Sequence, residues 1–278
     1  MLVVKTIEEL KDVVFRVKSN GKSVGLVPTM GALHDGHLSL LKRAKKENEV
    51  VVCSIFVNPV QFNNPVDLEK YPRDVEGDLK KIEPYVDVAF TPTAEEVFPE
   101  PPKEVYDFGQ LDKVMEGAFR PGHFNGVGII VKRLFDWTTP DKAYFGEKDF
   151  QQLAIIKHLV KQYEIKTQIV PCPIVREASG LAMSSRNQRL SEEDRKKSAE
   201  IYRILTDSLK LKDAPIQEIK DFVINEINKI DGFKLDYYEI VDDTTLQPVE
   251  FADLSTGIVG CIAVYVGEVR LIDNIRYK

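Results

Sequence analysis

The sequence predicts an α/β protein: a Rossmann-like, doubly wound parallel sheet with a smaller α+β domain at the C-terminal end. Three observations carry that expectation. Val50–Asn58 (VVVCSIFVN) is a continuous, largely β-branched run, as in a strand buried on both faces of a parallel sheet. Short apolar runs alternate with helix-period segments across short connections through residue 170. After the Pro-Cys-Pro segment at 171–173 the pattern changes to two helices and three strands. The expected division is therefore 1–172 and 173–278.

Each element has a local reason. Thr6 can cap a helix over 6–18, with Glu8 and Glu9 in its first turn and Ile7, Leu10, Val13, Val14 and Val17 at helical spacing. Ser23–Thr29 is a short apolar strand. His34 opens a helix with Leu38, Leu41 and Ala44 on one face. Asp74–Ile82 reads as helix and 86–90 as strand. Four prolines between 92 and 104 predict a surface loop. Phe124–Trp137 and Phe150–Gln162 are helical, and Ala143–Gly146 and Lys166–Val170 are strands. In the last third, Ser191 and Asp194 have the spacing of a loose capping box for a helix over 191–210. A second helix covers 216–229, and strands fall near 234–242, 257–265 and 268–272.

Composition limits the function. The 278 residues hold 38 Lys and Arg against 44 Asp and Glu, a net charge of −6, which argues against general nucleic-acid binding. Cys53, Cys172 and Cys261 have no metal-ligand or disulfide spacing and read as buried, inert thiols. No apolar run reaches the roughly 20 residues needed to span a bilayer. The start, MLVVKTIEELKDVV, is unlike a signal peptide. The expected setting is the cytoplasm, with no membrane partner.

Four segments carry chemistry. In Pro28–His37 (PTMGALHDGH) a strand ends, Gly31 and Gly36 permit tight turns, and His34 and His37 stand three apart at a helix start, where such residues share a face. A helix start offers N–H groups and a positive dipole end to a phosphate. Two imidazoles there can donate to phosphate oxygens. Surface histidines beside a cap are an equal reading, and a zinc pair lacks a recognisable third ligand. In Ser54–Asp74, Asn58 and Gln61 bring neutral amides to a strand end, where open α/β sheets bind ligands; an Asn/Pro-rich turn is the plainer reading. In Ala143–Leu153 a strand ends at Gly146, and Glu147, Lys148 and Asp149 open a helix. Lys148 is a mobile cation suited to phosphate. Asp149 can cap the helix or bind ribose hydroxyls. Lys148 and Gln152 lie one turn apart. In Val175–Ser191, the hydroxyls and guanidinium of Met183-Ser184-Ser185-Arg186 can close over phosphates or merely form a capping turn.

Together these motifs resemble a known family. His34-Asp35-Gly36-His37 is similar to the His-X-Gly-His signature of the nucleotidyltransferase superfamily. Pro28–His37 and VNPVQF…YPRD look like the pantothenate synthetase version, and Met183–Arg186 resembles the superfamily's second nucleotide signature. The resemblance runs from residue 23 to about 191, with order and spacing kept. It implies ATP-dependent condensation of (R)-pantoate with β-alanine through a pantoyl adenylate, with release of AMP and pyrophosphate. It further implies that Met30, Gly31, Ala32, Leu33, His34, Asp35, Gly36 and His37 hold ATP, together with Gly146, Glu147, Lys148, Asp149, Val175, Met183, Ser184, Ser185 and Arg186. Val175 would meet the adenine through its backbone. His34, His37, Lys148 and Arg186 would be catalytic, and Gln61, Gln152 and Asn58 would bind substrate. Mg²⁺ is implied, with Asp78 as a candidate ligand, although the neighbouring position, often acidic in the family, is Gly77 here. Arg120 and His123 match a family segment without an assigned role. The C-terminal domain is expected to act as a lid, and the protein as a homodimer. Two rivals stand beside this reading. A transferase acting on a phosphorylated acceptor would want arginines where the Gln61 loop has amides. A nucleotide sensor would not need the His and Lys residues.

Overall fold

A short strand at Leu2–Val4 (β1) precedes a helix whose start is closed by side chains on both sides. The Thr6 hydroxyl accepts from the Glu9 N–H at 3.2 Å, and the Glu9 carboxylate accepts from the Thr6 N–H at 3.1 Å. The computed structural model describes residues 1–250 and 257–278. Along the chain the helix is α1 (Ile7–Ser19), followed by β2 (Val24–Thr29), α2 (Asp35–Glu47), β3 (Val50–Ile55), α3 (Pro65–Glu69), α4 (Val75–Ile82) and β4 (Val88–Phe90). Then come α5 (Ala94–Val97), α6 (Met115–Phe119), α7 (His123–Thr138), β5 (Lys142–Gly146), α8 (Phe150–Gln162) and β6 (Gln168–Cys172). The remainder is α9 (Glu192–Ser208), α10 (Ile216–Asn228), β7 (Phe233–Asp242), β8 (Ile258–Val266) and β9 (Val269–Arg276).

The chain forms two compact units. One takes in Met1–Phe108, Arg120–Glu147 and Ile155–Pro173; the other takes in Gly109–Phe119, Lys148–Ala154 and Ile174–Lys278. The first unit holds a parallel sheet of order β1-β4-β3-β2-β5-β6. From β2 the chain builds outward through β3 and β4 on one side, then returns to β5 and β6 on the other. The strand order thus reverses between β2 and β5, and such a switch point opens a crevice at the carboxyl ends of the strands. Val51–Ile55 are buried throughout, as the β-branched run predicts. Val27, Leu41, Ala44, Val51, Cys53, Ile82, Ala89 and Tyr144 form the core around this centre. Burial pushes the Cys53 thiol up to about 12, so it stays an inert thiol.

The expected surface loop at 92–104 contains one helical turn, α5, capped by the Thr93 hydroxyl, which accepts from the Glu96 N–H at 3.2 Å. The run starting at Val50 leaves the sheet at Ile55 because Pro59 begins a 3-10 turn.

The end of α2 is tied to β5 through Glu47. Its carboxylate accepts from Arg43 Nε at 2.9 Å, Lys142 Nζ at 3.1 Å and the Tyr144 hydroxyl at 3.0 Å. The Arg43 and Lys142 bonds hold its pKa at about 2, below the ordinary 4.5. A depressed carboxylate stabilises the fold above its unfolded pKa and loses that contribution as pH falls. Glu47→Gln is therefore expected to cost about 1 kcal/mol at pH 7. The gap from wild type should narrow as pH drops from 4.5 towards 2. Urea unfolding at pH 7, 4.5 and 3 checks this; a gap that is constant with pH would remove the carboxylate from the account.

In the second unit β7, β8 and β9 form an antiparallel sheet. Ile201, Ile204, Leu205, Ile219, Val223 and Ile227 of α9 and α10 pack with Tyr238, Ile240, Ile262 and Val264 of the strands. Ser191 caps α9, its hydroxyl accepting from the Asp194 N–H at 3.0 Å.

Candidate active site

The first half of the site is built at the carboxyl end of β2. Thr29 anchors the turn there: its hydroxyl donates to the Ser54 carbonyl at 2.7 Å and accepts from the Gly31 N–H at 3.3 Å. Gly31 and then Ala32 take positive φ, +82° and +50°. Gly31 accepts this without cost; Ala32 does not. The chain then enters α2 at His34, its N-cap.

The two histidines close that helix start themselves. His34 Nδ1 accepts from the Gly36 N–H at 3.2 Å, and His37 Nδ1 accepts from the His34 N–H at 3.3 Å. This is a capping box made of imidazoles. With Nδ1 used as an acceptor, each ring carries its hydrogen on Nε2. The ring centroids are 4.0 Å apart. One helix start thus holds two adjacent Nε2–H donors beside the positive end of a helix dipole.

The amide pocket lies in the same unit. Gln61 Nε2 donates to Met30 Sδ at 3.0 Å, and Gln61 Oε1 accepts from Asn58 Nδ2 at 3.0 Å. Asn58 is 1% exposed and its side chain is fully engaged: Nδ2 also donates to the Gly126 carbonyl at 3.0 Å, and Oδ1 accepts from the Val60 N–H at 3.2 Å. Asn58 thereby orients Gln61. Thioether sulfur is a weak acceptor, which a ligand oxygen can displace. Gly126 is required where it stands, because a Cβ would sit 2.6 Å from the Val60 carbonyl oxygen and 2.7 Å from Gln61 Cα. His123 supports the same turn. Its Nδ1 lies 2.8 Å from the Gln61 carbonyl oxygen, an acceptor only, so Nδ1–H donates and Nε2 faces Arg120 Nη1 at 3.3 Å. The segment without an assigned role therefore braces Gln61.

Asp78 departs from a metal-ligand environment. It is 0% exposed, and its Oδ1 accepts from the Leu33 N–H at 2.7 Å. Among the described residues no group of three or more His, Cys, Asp or Glu could hold a metal ion. The residues around Asp78 do not fit a hydrated Mg²⁺.

The remaining candidate residues are described within the other unit. Gly146 ends β5 in the first unit, where the Glu147 N–H donates to the Cys172 carbonyl at 2.8 Å. Lys148–Ala154 belong to the second unit. Lys148 Nζ lies 3.6 Å from Asp149 Oδ2, and the Asp149 carbonyl accepts from the Leu153 N–H, which starts α8. Gln152 follows one turn after Lys148. Val175–Met183 form a tight hairpin, in which the Met183 N–H donates to the Val175 carbonyl at 3.0 Å and Glu177 N–H to the Leu181 carbonyl at 2.8 Å. Ser184 caps the 3-10 turn Ser185–Arg189, accepting from the Arg186 N–H at 3.2 Å.

Strand β9 secures both pieces. Asp273 takes Arg176 in a bidentate ion pair at 2.6 and 2.9 Å, and the Arg176 guanidinium stacks 3.6 Å from the Tyr202 ring centroid. The next residue, Asn274, donates to the Lys148 carbonyl at 3.1 Å. These anchors have no sequence motif. Asp273 and Asn274 lie just past the strand expected near 268–272, and β9 runs on to include them.

The described geometry therefore brings His34, His37, Met30, Asn58, Gln61 and Asp78 together in one unit, and ties Lys148 and Arg176 to strand β9 in the other. An α/β protein with paired imidazoles at the switch-point helix keeps the features by which the sequence resembles the nucleotidyltransferase superfamily. Comparison with known proteins narrows this. The model of the family described as pantoate-beta-alanine ligase matches residues 2–276, so the chain belongs to that family. It is 52% identical to a pantothenate synthetase of Bacteroides fragilis, covering 100% of this chain and 99% of that one. A pantothenate synthetase of Porphyromonas gingivalis is 48% identical over the full length of both. The structure is similar to that of the pantothenate synthetase of Thermus thermophilus, with a TM-score of 0.93, 41% identity, and 100% and 99% of the two chains covered. The Francisella tularensis pantoate-beta-alanine ligase, solved with beta-gamma ATP and beta-alanine, matches with a TM-score of 0.84 at 36% identity, covering 100% of this chain and 98% of that one.

Proposed function

We propose that this chain condenses (R)-pantoate with β-alanine at the cost of ATP, and that His34, His37, Lys148 and Arg186 act on a single triphosphate. The observation carrying the site reading is that both Nδ1 atoms are occupied by the helix start, which leaves Nε2–H as the donor of each histidine. Donors fixed in advance where charge develops are the main source of rate in such reactions.

In the first step the pantoate carboxylate attacks the α-phosphorus of ATP in line, and pyrophosphate leaves. His34 and His37 donate to oxygens of the reacting phosphate. Lys148 follows the charge as it moves to the leaving group. Arg186, on the 3-10 turn capped by Ser184, binds the β- and γ-phosphates with Ser184 and Ser185. Met30–Asp35 with Gly36, and Gly146, Glu147 and Asp149, line the nucleotide, and Val175 meets adenine through its backbone. In the second step the β-alanine amine attacks the pantoyl carbonyl, and AMP leaves. The adenylate is itself the activated acyl donor, so no protein nucleophile enters. Gln61 and Gln152 hold pantoate, and Asn58 keeps Gln61 oriented. The C-terminal α+β part, 173–278, acts as a lid that keeps water from the adenylate. Mg²⁺ is proposed to arrive with the triphosphate, whose charge it offsets. The resemblance also implies a cytoplasmic homodimer; light scattering at twice the 31.6 kDa chain mass tests the assembly.

The test is an incubation with ATP, Mg²⁺ and pantoate, with and without β-alanine, reading AMP and pyrophosphate. Amine-dependent AMP release supports the ligase. Turnover only with a phosphorylated acceptor replaces it with a transferase, and nucleotide binding without turnover replaces it with a sensor.

A further inference from the structure

The peptide just before His34 is bent in a way its sequence resists. Gly31 and Ala32 are both left-handed, and alanine is strained there. A strained bend persists only where its surroundings over-determine it. Helix α4 supplies that restraint from outside the loop. Asp78 Oδ1 accepts from the Leu33 N–H at 2.7 Å, and Lys81 Nζ donates to the Leu33 carbonyl at 3.0 Å. One turn of helix thus holds both polar backbone groups of the residue that precedes His34. The two side chains support one another, with Lys81 Nζ 3.8 Å from Asp78 Oδ1.

The remaining oxygen of Asp78 faces the bend itself. Oδ2 is buried, and a Cβ on Gly31 would lie 3.1 Å from it. This oxygen is out of solvent, beside the bend. Burial holds the Asp78 carboxyl above the usual carboxylate range, an effect that the Leu33 and Ala32 N–H groups and Lys81 oppose only in part. The carboxylate is therefore enclosed by the loop it holds.

We propose that Asp78 and Lys81 are positioning residues that clamp Gly31–Leu33 in its left-handed bend, thereby setting where His34 and His37 stand, and that Asp78 is not a magnesium ligand. The inference rests on the reading of the two histidines as phosphate donors.

The test uses the full-length enzyme with Asp78→Asn, Lys81→Met, Lys81→Met with Ala32→Gly, and His37→Ala. Lys81→Met keeps the aliphatic stem of a partly exposed side chain, so it decides the matter if Asp78→Asn fails to fold. Three quantities are read: adenylate formation by rapid quench, the Mg²⁺ concentration for half-maximal rate, and amide hydrogen exchange over residues 31–34. A misplacement of catalytic groups by an ångström costs on the order of 100-fold. Asp78→Asn is expected to slow adenylation about 10- to 100-fold, and Lys81→Met about 3- to 10-fold. Both should speed exchange over 31–34 and leave the Mg²⁺ requirement within about twofold. Aminolysis of supplied pantoyl adenylate should change far less. Ala32→Gly relieves the strain and should return much of the rate lost in Lys81→Met. A requirement for Mg²⁺ raised more than about tenfold in Asp78→Asn, with full rate at saturating metal, makes Asp78 a ligand and overturns the proposal. Wild-type rates and exchange in both clamp variants, with His37→Ala slow, overturn the clamp alone. His37→Ala at the wild-type rate, with faster exchange in both clamp variants, removes the phosphate reading and keeps the clamp.

Discussion

Replacing His37 with alanine is expected to slow pantoyl adenylate formation by about 100- to 1,000-fold, the scale seen when a donor to developing charge is removed. Aminolysis of adenylate supplied from outside should fall much less, because that step moves charge at the acyl carbonyl. His37 also accepts the His34 N–H at 3.3 Å, so the alanine variant loses a helix cap as well. A lost cap costs about 1 kcal/mol of stability, and that has to be separated from catalysis. His37→Glu separates them. His37 occupies the third helical position, where glutamate is a favoured capping-box partner. If capping were the whole role, glutamate would restore the rate that alanine loses. If the imidazole donates to phosphate, glutamate puts a negative charge beside it and should be as slow as alanine or slower. Urea unfolding gives the stability of each variant, and rapid quench gives the rate. A glutamate variant faster than the alanine variant would end the phosphate role.

The parts of this structure that were legible in the sequence are those where cause and effect lie close along the chain. Thr6 and Ser191 cap their helices as read, each accepting from the N–H three residues on; Glu9 closes the box at Thr6, whereas the Asp194 carboxylate meets the Ser191 hydroxyl. Val50–Ile55 is a strand because consecutive β-branched residues suit a strand covered on both faces. Leu2–Val4 is too short for any period to register, although its pairing with β4 makes it the sheet edge. Helix α5 hid among prolines because a single capped turn leaves little pattern. The site divides in the same way. His34 and His37 announced themselves by spacing, yet their use as the cap of their own helix did not, since histidine is not a usual cap residue. The anchors of the site span long separations. Asp78 reaches Leu33, Asp273 reaches Arg176, and Asn274 reaches the Lys148 carbonyl. Each is a side chain meeting a distant segment, two of the three at backbone, where the partner's identity leaves no mark. Arg120 and His123 stood out as a segment, but only the turn at Gln61 shows what they brace.

Gln61→Leu is expected to raise the Michaelis constant for pantoate by about 100-fold or more while changing that for ATP by less than about threefold. A pocket built to hydrogen-bond a substrate loses more than the bond when one partner goes, because the buried polar groups left behind are unpaired. Here the stranded group is identifiable. Asn58 Nδ2 donates to Gln61 Oε1 at 3.0 Å, and with leucine at 61 that hydrogen has no acceptor in a side chain only 1% exposed. The effect on pantoate thus has two sources, the lost contact and the released Asn58. Gln61→Glu tells them apart. Glutamate still accepts from Asn58, but it cannot donate and it repels a carboxylate. If Gln61 acts by donating to pantoate, the glutamate variant binds the acid no better than leucine, although its pocket remains ordered. If Gln61 acts only by keeping Asn58 in place, glutamate recovers the wild-type constant. Initial rates with pantoate and ATP varied separately decide between them. Equal effects on both substrates would take Gln61 out of the acid pocket, because nothing about an amide beside Met30 favours ATP and pantoate alike.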